Sequence, residues 1–304
     1  MIEPYKSAAG VEAAIRDAAR NAFASDKSMS TQDRIRQEYF RRFLSRIFSE
    51  RDDSDWLLKG GTGVLARVAS GRRTTDVDLF RANNTLDGAL AELIRLASID
   101  LGDFFRFVYT KHQSVVGGDQ QTYTDGYGVD FDVYIGADKK EPLHVDLVVG
   151  VIITDEVTVT PPANRLDLPR LPSNDYRLYP IADQIADKVC ATMADYSGRP
   201  SSREKDLVDL IVIAKTQTAS ADSLRHAIDA EARARSLIPF TELTIPPTWG
   251  RLYAKEAKEA KEVPYCADYR SADLAGELMR AFIDPVLRGE VPGKTWSPDS
   301  LAWR

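Results

Sequence analysis

Two aspartates one residue apart, Asp76 and Asp78 in "TTDVDLF", are the first residues in this 304-residue chain whose spacing suggests chemistry. Val77 and Leu79 alternate with them, which is the period of a half-buried strand, so both carboxylates face the same way. Carboxylates held a few ångströms apart repel each other unless a cation lies between them. Such oxygen ligands suit Mg²⁺, which takes one or two carboxylates and fills its shell with phosphate oxygens and water. Alone, an Asp-x-Asp is also an ordinary solvent-facing strand edge. The preceding segment, "LLKGGTGVLARVA", changes the reading. Gly60-Gly61 ahead of a short helix lets backbone N–H groups approach a phosphate, with a helix N-terminus behind them. Thr62, Thr74 and Thr75 add hydroxyl groups. A turn that cradles phosphates, followed by a strand that holds a metal, is a layout for handling a nucleoside triphosphate. It is not a Walker-type loop, because the Gly-Lys-Ser/Thr ending is absent.

Two-metal phosphoryl chemistry asks for a third carboxylate, on a neighbouring strand, that ligates the second ion and draws the attacking hydroxyl into line. "LHVDLVV" offers Asp146 between Val145 and Leu147, where a carboxylate is costly to bury without a partner. "VDFDVY" offers Asp130 and Asp132 as rivals, and the more apolar flanks of Asp146 favour it. His144 could share the face of Asp146, yet a lone histidine is more often structural. Further on, Asp206 and Asp209 lie three apart in "EKDLVDLIVIAKTQT" and share a helical face. Lys188 sits in the otherwise apolar "IADQIADKVCATM". It could meet a triphosphate as a point charge, or pair with Asp206 or Asp209 and simply join two helices.

These residues need elements to position them. Residues 9–24 read as an Ala-rich helix. A second helix follows, capped by Ser30 or Thr31, with Ile35, Tyr39, Phe43 and Ile47 forming an apolar stripe and several arginines outside it. "WLLKGG" reads as a short strand and turn, "TGVLARVA" as a short helix, "SGRR" as a turn and "TTDVDLF" as a strand. "TLDGALAELIRLAS" is an amphipathic helix. "FRFVYTKHQSVV", "QTYTDGYGVDFDVYIG" and "LHVDLVVGVII" look like neighbouring strands. The Pro-rich stretch from Pro161 to Pro180 predicts a boundary between an α/β domain over 1–160 and a mostly helical domain over 161–304 that carries the Lys and Asp motifs. Within the latter, "AKEAKEAKE" reads as a solvated helix face.

Hydrophobic residues make up 43% of the chain, charged residues 28%, and the net charge is −6. That suffices for a sizeable core and gives no global support for non-specific nucleic-acid binding. Two distant cysteines, Cys190 and Cys266, form neither a disulfide framework nor a metal spacing. Neither a signal peptide nor a membrane-length apolar run is evident, so a soluble, cytoplasmic protein with no membrane partner is expected.

Taken in order, "LKGGTGVLARVASGRRTTDVDL", "VDLVVG", "YPIADQIADKVCATM" and "RPSSREKDLVDLIVI" resemble the AbiEii/AbiGii nucleotidyltransferase-like toxins, a group that includes the MenT toxins. The resemblance runs from about Tyr39 to Ile213. The glycine and Asp-x-Asp element marks the wider polymerase-β-like superfamily, and the later Lys and Asp elements are more specific. It implies an α+β fold, with a polymerase-β-like nucleotidyltransferase core of mixed sheet and flanking helices followed by a helical C-terminal domain. It also implies a toxin of a toxin–antitoxin pair, often linked to phage defence. Such an enzyme uses Mg²⁺ (or Mn²⁺) and an NTP, releases pyrophosphate, and has a cognate antitoxin and an RNA acceptor, in characterised relatives the 3′ end of tRNA. By position, Asp76 and Asp78 would be catalytic metal ligands, Lys188 a catalytic or nucleotide-binding lysine, and Asp206, before Asp209, the acidic residue of the last motif. Gly60, Gly61 and Thr74 would line the phosphates. Gly-Gly stands where many superfamily members have Gly-Ser, so one hydroxyl donor is missing unless Thr62 replaces it.

The same fold also serves transfer to small molecules. A groove lined by arginines would favour RNA, and Arg36, Arg41, Arg42, Arg72, Arg73, Arg199 and Arg203 are the candidates. A silent partner-binding protein and a kinase-like phosphotransferase are the remaining alternatives.

Overall fold

The computed structural model describes residues 3–68, 74–82, 84–115, 125–163, 165–194, 198, 201–259 and 264–304. The chain falls into two compact units. The first runs to residue 178 apart from a short excursion at 152–158, and the second is formed mainly by residues 179–304. The expected "SGRR" turn, and with it Arg72 and Arg73, lies outside the described residues, as does Arg199.

The first unit opens with α1 (Ala8–Ser25) and α2 (Thr31–Ile47). Ser30 caps α2, its hydroxyl accepting from the Asp33 N–H at 3.1 Å. Next come β1 (Trp56–Leu58), α3 (Gly60–Arg67), β2 (Asp76–Arg81), α4 (Leu86–Ala97), β3 (Phe105–Val115), β4 (Asp125–Ile135), β5 (Asp138–Lys139), β6 (Leu143–Val149), β7 (Thr158–Thr160) and β8 (Tyr176–Leu178). Among the described residues, eight strands make one mixed sheet in the order β3-β4-β6-β2-β1-β8-β7, with β5 paired to β4. The parallel neighbours are β2 with β6 and β1 with β8, while β1–β2, β3–β4 and β4–β6 are antiparallel.

Period-two alternation sorts the two faces of this sheet. Val77, Leu79, Val129, Phe131, Val133, Leu143, Val145 and Leu147 are all buried in one core with residues of α1, α2 and α4. Phe43 of α2 meets Phe107 and Phe131 with ring centroids 5.2 Å from each. The residues between them, Asp76, Asp78, His144 and Asp146, therefore fall on the opposite face.

Helix α2 departs from the expected pattern. Its arginines do not lie outside an apolar stripe, because from Gln37 to Phe48 nearly every residue is buried. Each buried guanidinium has carboxylate or carbonyl partners, as charge in a core requires. Arg41 and Arg42 both pair with Glu38, at 2.7 and 2.8 Å. Arg46 and Asp103 are both fully buried and joined by two bonds, of 2.6 and 3.0 Å. Arg46 also donates to the carbonyl of Phe105 at 2.9 Å. Arg41 and Arg42 are thus paired inside the protein rather than spread over its surface.

The Pro-rich stretch is also more than a connection. It contains β8, three residues that lie parallel to β1, with Leu178 in register with Leu58.

The second unit carries α5 (Ile181–Met193), α6 (Glu204–Thr216), β9 (Ala219–Ser220), α7 (Ala221–Ala234), α8 (Trp249–Glu259), α9 (Ala272–Phe282), α10 (Asp284–Leu287), β10 (Thr295–Ser297) and β11 (Ala302–Trp303). Besides the expected helices it has a small sheet in the order β11-β10-β9. Trp296 of β10 is fully buried; its indole N–H donates to the carbonyl of Ala214 at 2.7 Å, and its ring lies 4.6 Å from that of Phe282. Among the described residues, no helix is long and apolar enough to cross a membrane.

Removing one member of a buried ion pair leaves the other charge stranded. Asp103→Ala is therefore expected to destabilise the first unit by about 3–5 kcal/mol, read from urea unfolding followed by far-UV circular dichroism. A loss under about 1 kcal/mol would show that Arg46 is held by its carbonyl partners alone.

Candidate active site

Register brings the carboxylates together. On the parallel strands β2 and β6, Asp76 lies beside His144 and Asp78 beside Asp146. Neighbouring strands are roughly 4.8 Å apart, so three carboxylates share a small area of one face. Asp130 of β4 lies opposite His144, one strand further from β2. Asp132 is paired with Lys139 at 2.7 Å. The sequence argument for Asp146 assumed a buried carboxylate, but its side chain is 44% exposed. What singles it out is its place beside Asp78.

The glycine segment is built against the same carboxylates. Strand β1 ends at Leu58, and the Lys59 N–H donates to the Asp78 carbonyl at 3.0 Å. Helix α3 starts at once, so Gly60 and Gly61 form its first turn rather than a turn ahead of it. Gly60 has φ +57°, and a Cβ there would lie 2.1 Å from Asp78 Oδ2 and 2.3 Å from its Cγ. Only glycine fits that conformation next to that carboxylate. The threonines have more local duties. The hydroxyls of Thr62 and Thr74 both donate to the Asp76 carbonyl, at 2.7 and 3.2 Å, and that of Thr75 donates to Asp76 Oδ2 at 2.8 Å. In this arrangement they brace the start of β2. Arg36 reaches the Thr75 carbonyl at 3.4 Å and Glu141 at 3.7 Å.

A chain of side chains crosses the face. His144 Nδ1 lies 2.6 Å from Asp130 Oδ1, and its Nε2 lies 3.3 Å from Asp146 Oδ1. Burial pushes the His144 pKa down, but the Asp130 hydrogen bond and the charges of Asp146, Asp130 and Asp76 outweigh this and raise it. Asp130 is held below the usual carboxylate range, chiefly by its hydrogen bond with His144. Burial raises Asp146, as does the charge of Asp76, while His144 and Lys59 act in the other direction. The sequence reading gave no role to Lys59 and left the Asp130–His144 link unseen. Its only signal was the alternation that put His144 and Asp146 on one face.

The donor set suits a hard divalent cation, since it is made of carboxylates with no thiol. Among the described residues, no three His, Cys, Asp or Glu side chains are gathered closely enough to hold a metal by themselves. Asp76 and Asp78 could supply part of a coordination shell, with phosphate oxygens and water as the remainder.

Lys188, Asp206 and Asp209 belong to the second unit and are all buried. Lys188 of α5 donates to Asp206 Oδ1 at 2.7 Å and to Asp209 Oδ2 at 2.8 Å, both on α6. Arg203 adds a bond to Asp206 Oδ2, also at 2.7 Å. Burial alone would raise the Asp206 pKa, but Lys188 and Arg203 together hold it well below the ordinary range. The cluster ties α5 to α6, whatever else it does.

Residues 42–297 match the family described as "Nucleotidyl transferase AbiEii toxin, Type IV TA system". The chain belongs to the AbiEii family of nucleotidyltransferase toxins. It is therefore a nucleotidyltransferase of a toxin–antitoxin family, which implies an NTP substrate and a cognate antitoxin. Among solved structures it is similar to MenT4, a nucleotidyltransferase toxin from Mycobacterium tuberculosis H37Rv. The identity is 16% and the TM-score 0.48, covering 90% of this chain and 97% of that one. It is also similar to a putative nucleotidyltransferase from H. pylori, at 14% identity and TM-score 0.44, covering 86% and 97%. Likeness at this level carries no residue role across. No curated protein matches the sequence.

Two predictions follow from this geometry. Gly60→Ala forces a side chain into a left-handed conformation and onto Asp78, and is expected to cost about 1–3 kcal/mol in thermal or urea unfolding. In an Asp78→Ala background the same change should cost measurably less, because only the backbone strain remains; equal costs would disprove the close contact. In the second unit, Asp206 is held low, so its pairing stabilises above the unfolded carboxylate value of about 3.9 and is lost as pH falls through its folded value. Lys188→Met is expected to cost about 3–5 kcal/mol at pH 7. The gap to wild type should narrow as pH falls toward and below about 4 in a urea series. A gap independent of pH would rule out the ion pair as its source.

Proposed function

We propose that this AbiEii-family enzyme is a cytoplasmic toxin that transfers a nucleoside monophosphate from an NTP to the 3′-hydroxyl of an RNA, with the tRNA 3′ end as acceptor and Mg²⁺ (or Mn²⁺) as cofactor. The observation that carries the proposal is the in-register placement of Asp78 beside Asp146, with Asp76 on the same face and Gly60 packed against Asp78. Asp76 and Asp78 would hold the cation, with Asp146 as the third carboxylate ligand of the same site. The first turn of α3, at Gly60 and Gly61, places backbone N–H groups at the positive end of the helix dipole, where phosphate oxygens are favoured. Thr62, Thr74 and Thr75 keep β2 and the Asp76 carboxylate in place for that contact. When bound, a divalent cation neutralises phosphate charge and so lowers the barrier to attack.

The 3′-hydroxyl oxygen bonds to the α-phosphorus as the bond from that phosphorus to the bridging oxygen of the β-phosphate breaks. Pyrophosphate leaves with the electron pair, and the hydroxyl proton passes to the Asp146 carboxylate. Most of the acceleration comes from alignment and charge neutralisation. Lys188, Asp206 and Asp209 enter the proposal through the family resemblance: Lys188 as a contact to the nucleotide phosphates, Asp206 as its acidic partner and Asp209 as a support to both.

The test incubates the protein with total bacterial tRNA, Mg²⁺ and each α-³²P-labelled NTP in turn. Label at the tRNA 3′ end is expected with at least one NTP, reduced at least about 10²-fold in Asp78→Ala. Folded protein that binds an NTP yet labels no RNA would refute the RNA acceptor and leave a protein or small molecule in its place.

A further inference from the structure

We infer that His144 is a positioning residue: anchored at Nδ1 by Asp130, it fixes through Nε2 the orientation of the Asp146 carboxylate beside Asp78. The inference rests on the reading of Asp146 as a working carboxylate of the site. Three observations support it. Asp146 has a strong reason to turn away from its position, because Asp78 lies beside it in register and like charges repel. On its other flank the residue opposite it is Gly128, which offers no side chain to steady it. His144 Nε2 lies 3.3 Å from Asp146 Oδ1, close enough to steady that carboxylate.

The imidazole is itself well held. Its Nδ1 is 2.6 Å from Asp130 Oδ1, and Asp130 sits directly opposite His144 across the antiparallel β4–β6 pair. Lys111 lies 3.6 Å from the other Asp130 oxygen. A histidine hydrogen-bonded at Nδ1 and 3.3 Å from a second carboxylate at Nε2 is restrained in ring orientation, so it passes the rigidity of the β4–β6 ladder to a half-exposed side chain. Outer partners of this kind set the geometry of a ligating carboxylate without touching substrate. His144 and Asp130 thus have a role beyond that of an incidental surface ion pair, which would contribute little.

The experiment uses the full chain and four variants, His144→Ala, His144→Gln, Asp130→Ala and Asp146→Asn. Mn²⁺ binding is followed by electron paramagnetic resonance with a non-hydrolysable NTP analogue present, alongside kcat and KM for the NTP. His144→Ala is expected to weaken Mn²⁺ binding and lower kcat by about 10–100-fold, with KM for the NTP little changed. His144→Gln, which can place an amide N–H close to the Nε2 position, should recover most of both losses. Asp130→Ala, which releases the ring but leaves Asp146 intact, should show a loss in the same direction. Wild-type Mn²⁺ binding in His144→Ala, or a glutamine variant as impaired as the alanine one, would overturn the inference. If His144→Ala fails to fold, the glutamine and Asp130 variants decide: full function in Asp130→Ala overturns it. Asp146→Asn separates the two levels. If it loses Mn²⁺ binding and turnover while the His144 variants do not, the inference alone falls. If Asp146→Asn is itself unimpaired, the reading of Asp146 falls first.

Discussion

The close approach of Gly60 to the Asp78 carboxylate is the constraint around which the first unit is arranged. A Cβ would sit 2.1 Å from a carboxylate oxygen, so the backbone of α3 and the side chain of β2 compete for one volume. Glycine resolves the conflict and accepts the left-handed φ that the entry into α3 demands. The bond from the Lys59 N–H to the Asp78 carbonyl continues the β1–β2 pairing to the point where the helix begins. Helix start, strand and carboxylate are therefore set by one another, and a shift in any of them moves the others. That is a sound way to hold a charged side chain in the open, where no core packing can fix it.

The two faces of the sheet divide the work. One face is closed by aromatic and aliphatic side chains from three helices and carries the apolar burial that drives folding. The other bears the charged residues and is ordered by hydrogen bonds between neighbouring strands. Because alternation is strict along β6, a slip of one residue would exchange the two sets completely and bury His144 and Asp146 in the core. The burial of Val145 and Leu147 thus enforces the register that puts Asp146 beside Asp78. Fold stability and site geometry are in this sense one property.

Much of this was legible in the residues themselves. The alternation in "TTDVDLF" and "LHVDLVV" announced both strands and the face each aspartate would take. The amphipathic stripe of α4 was equally plain. That β3, β4 and β6 are neighbours was expected, and the chemistry asked for Asp146 on a strand beside β2; the residue-by-residue register was not legible, because no local pattern states it. Asp146 was favoured for full burial but is only half-buried, and it is the parallel β2–β6 register that gives it its neighbour. Helix α2 misled for a related reason. Arginines on a helix normally read as solvent-facing, yet here tertiary partners such as Glu38 and Asp103 accompany them into the core. The strand β8 escaped notice because three residues among prolines carry too little periodicity to register.

That late strand has a consequence for how the enzyme comes into being. Strand β1, only three residues long and leading into Gly60, is flanked on one side by β2 and on the other by β8, which is synthesised after every other strand in the sheet. A nascent chain possesses its aspartates and glycines long before the neighbour that closes their sheet has left the ribosome. Pairings between distant segments also form slowly, since loop closure precedes any reward. The β1 edge of the sheet is therefore the last to be closed in order of synthesis. In a protein of a toxin family, this postpones a closed sheet until most of the unit has been made, and a chain broken off before Tyr176 leaves β1 as a bare edge.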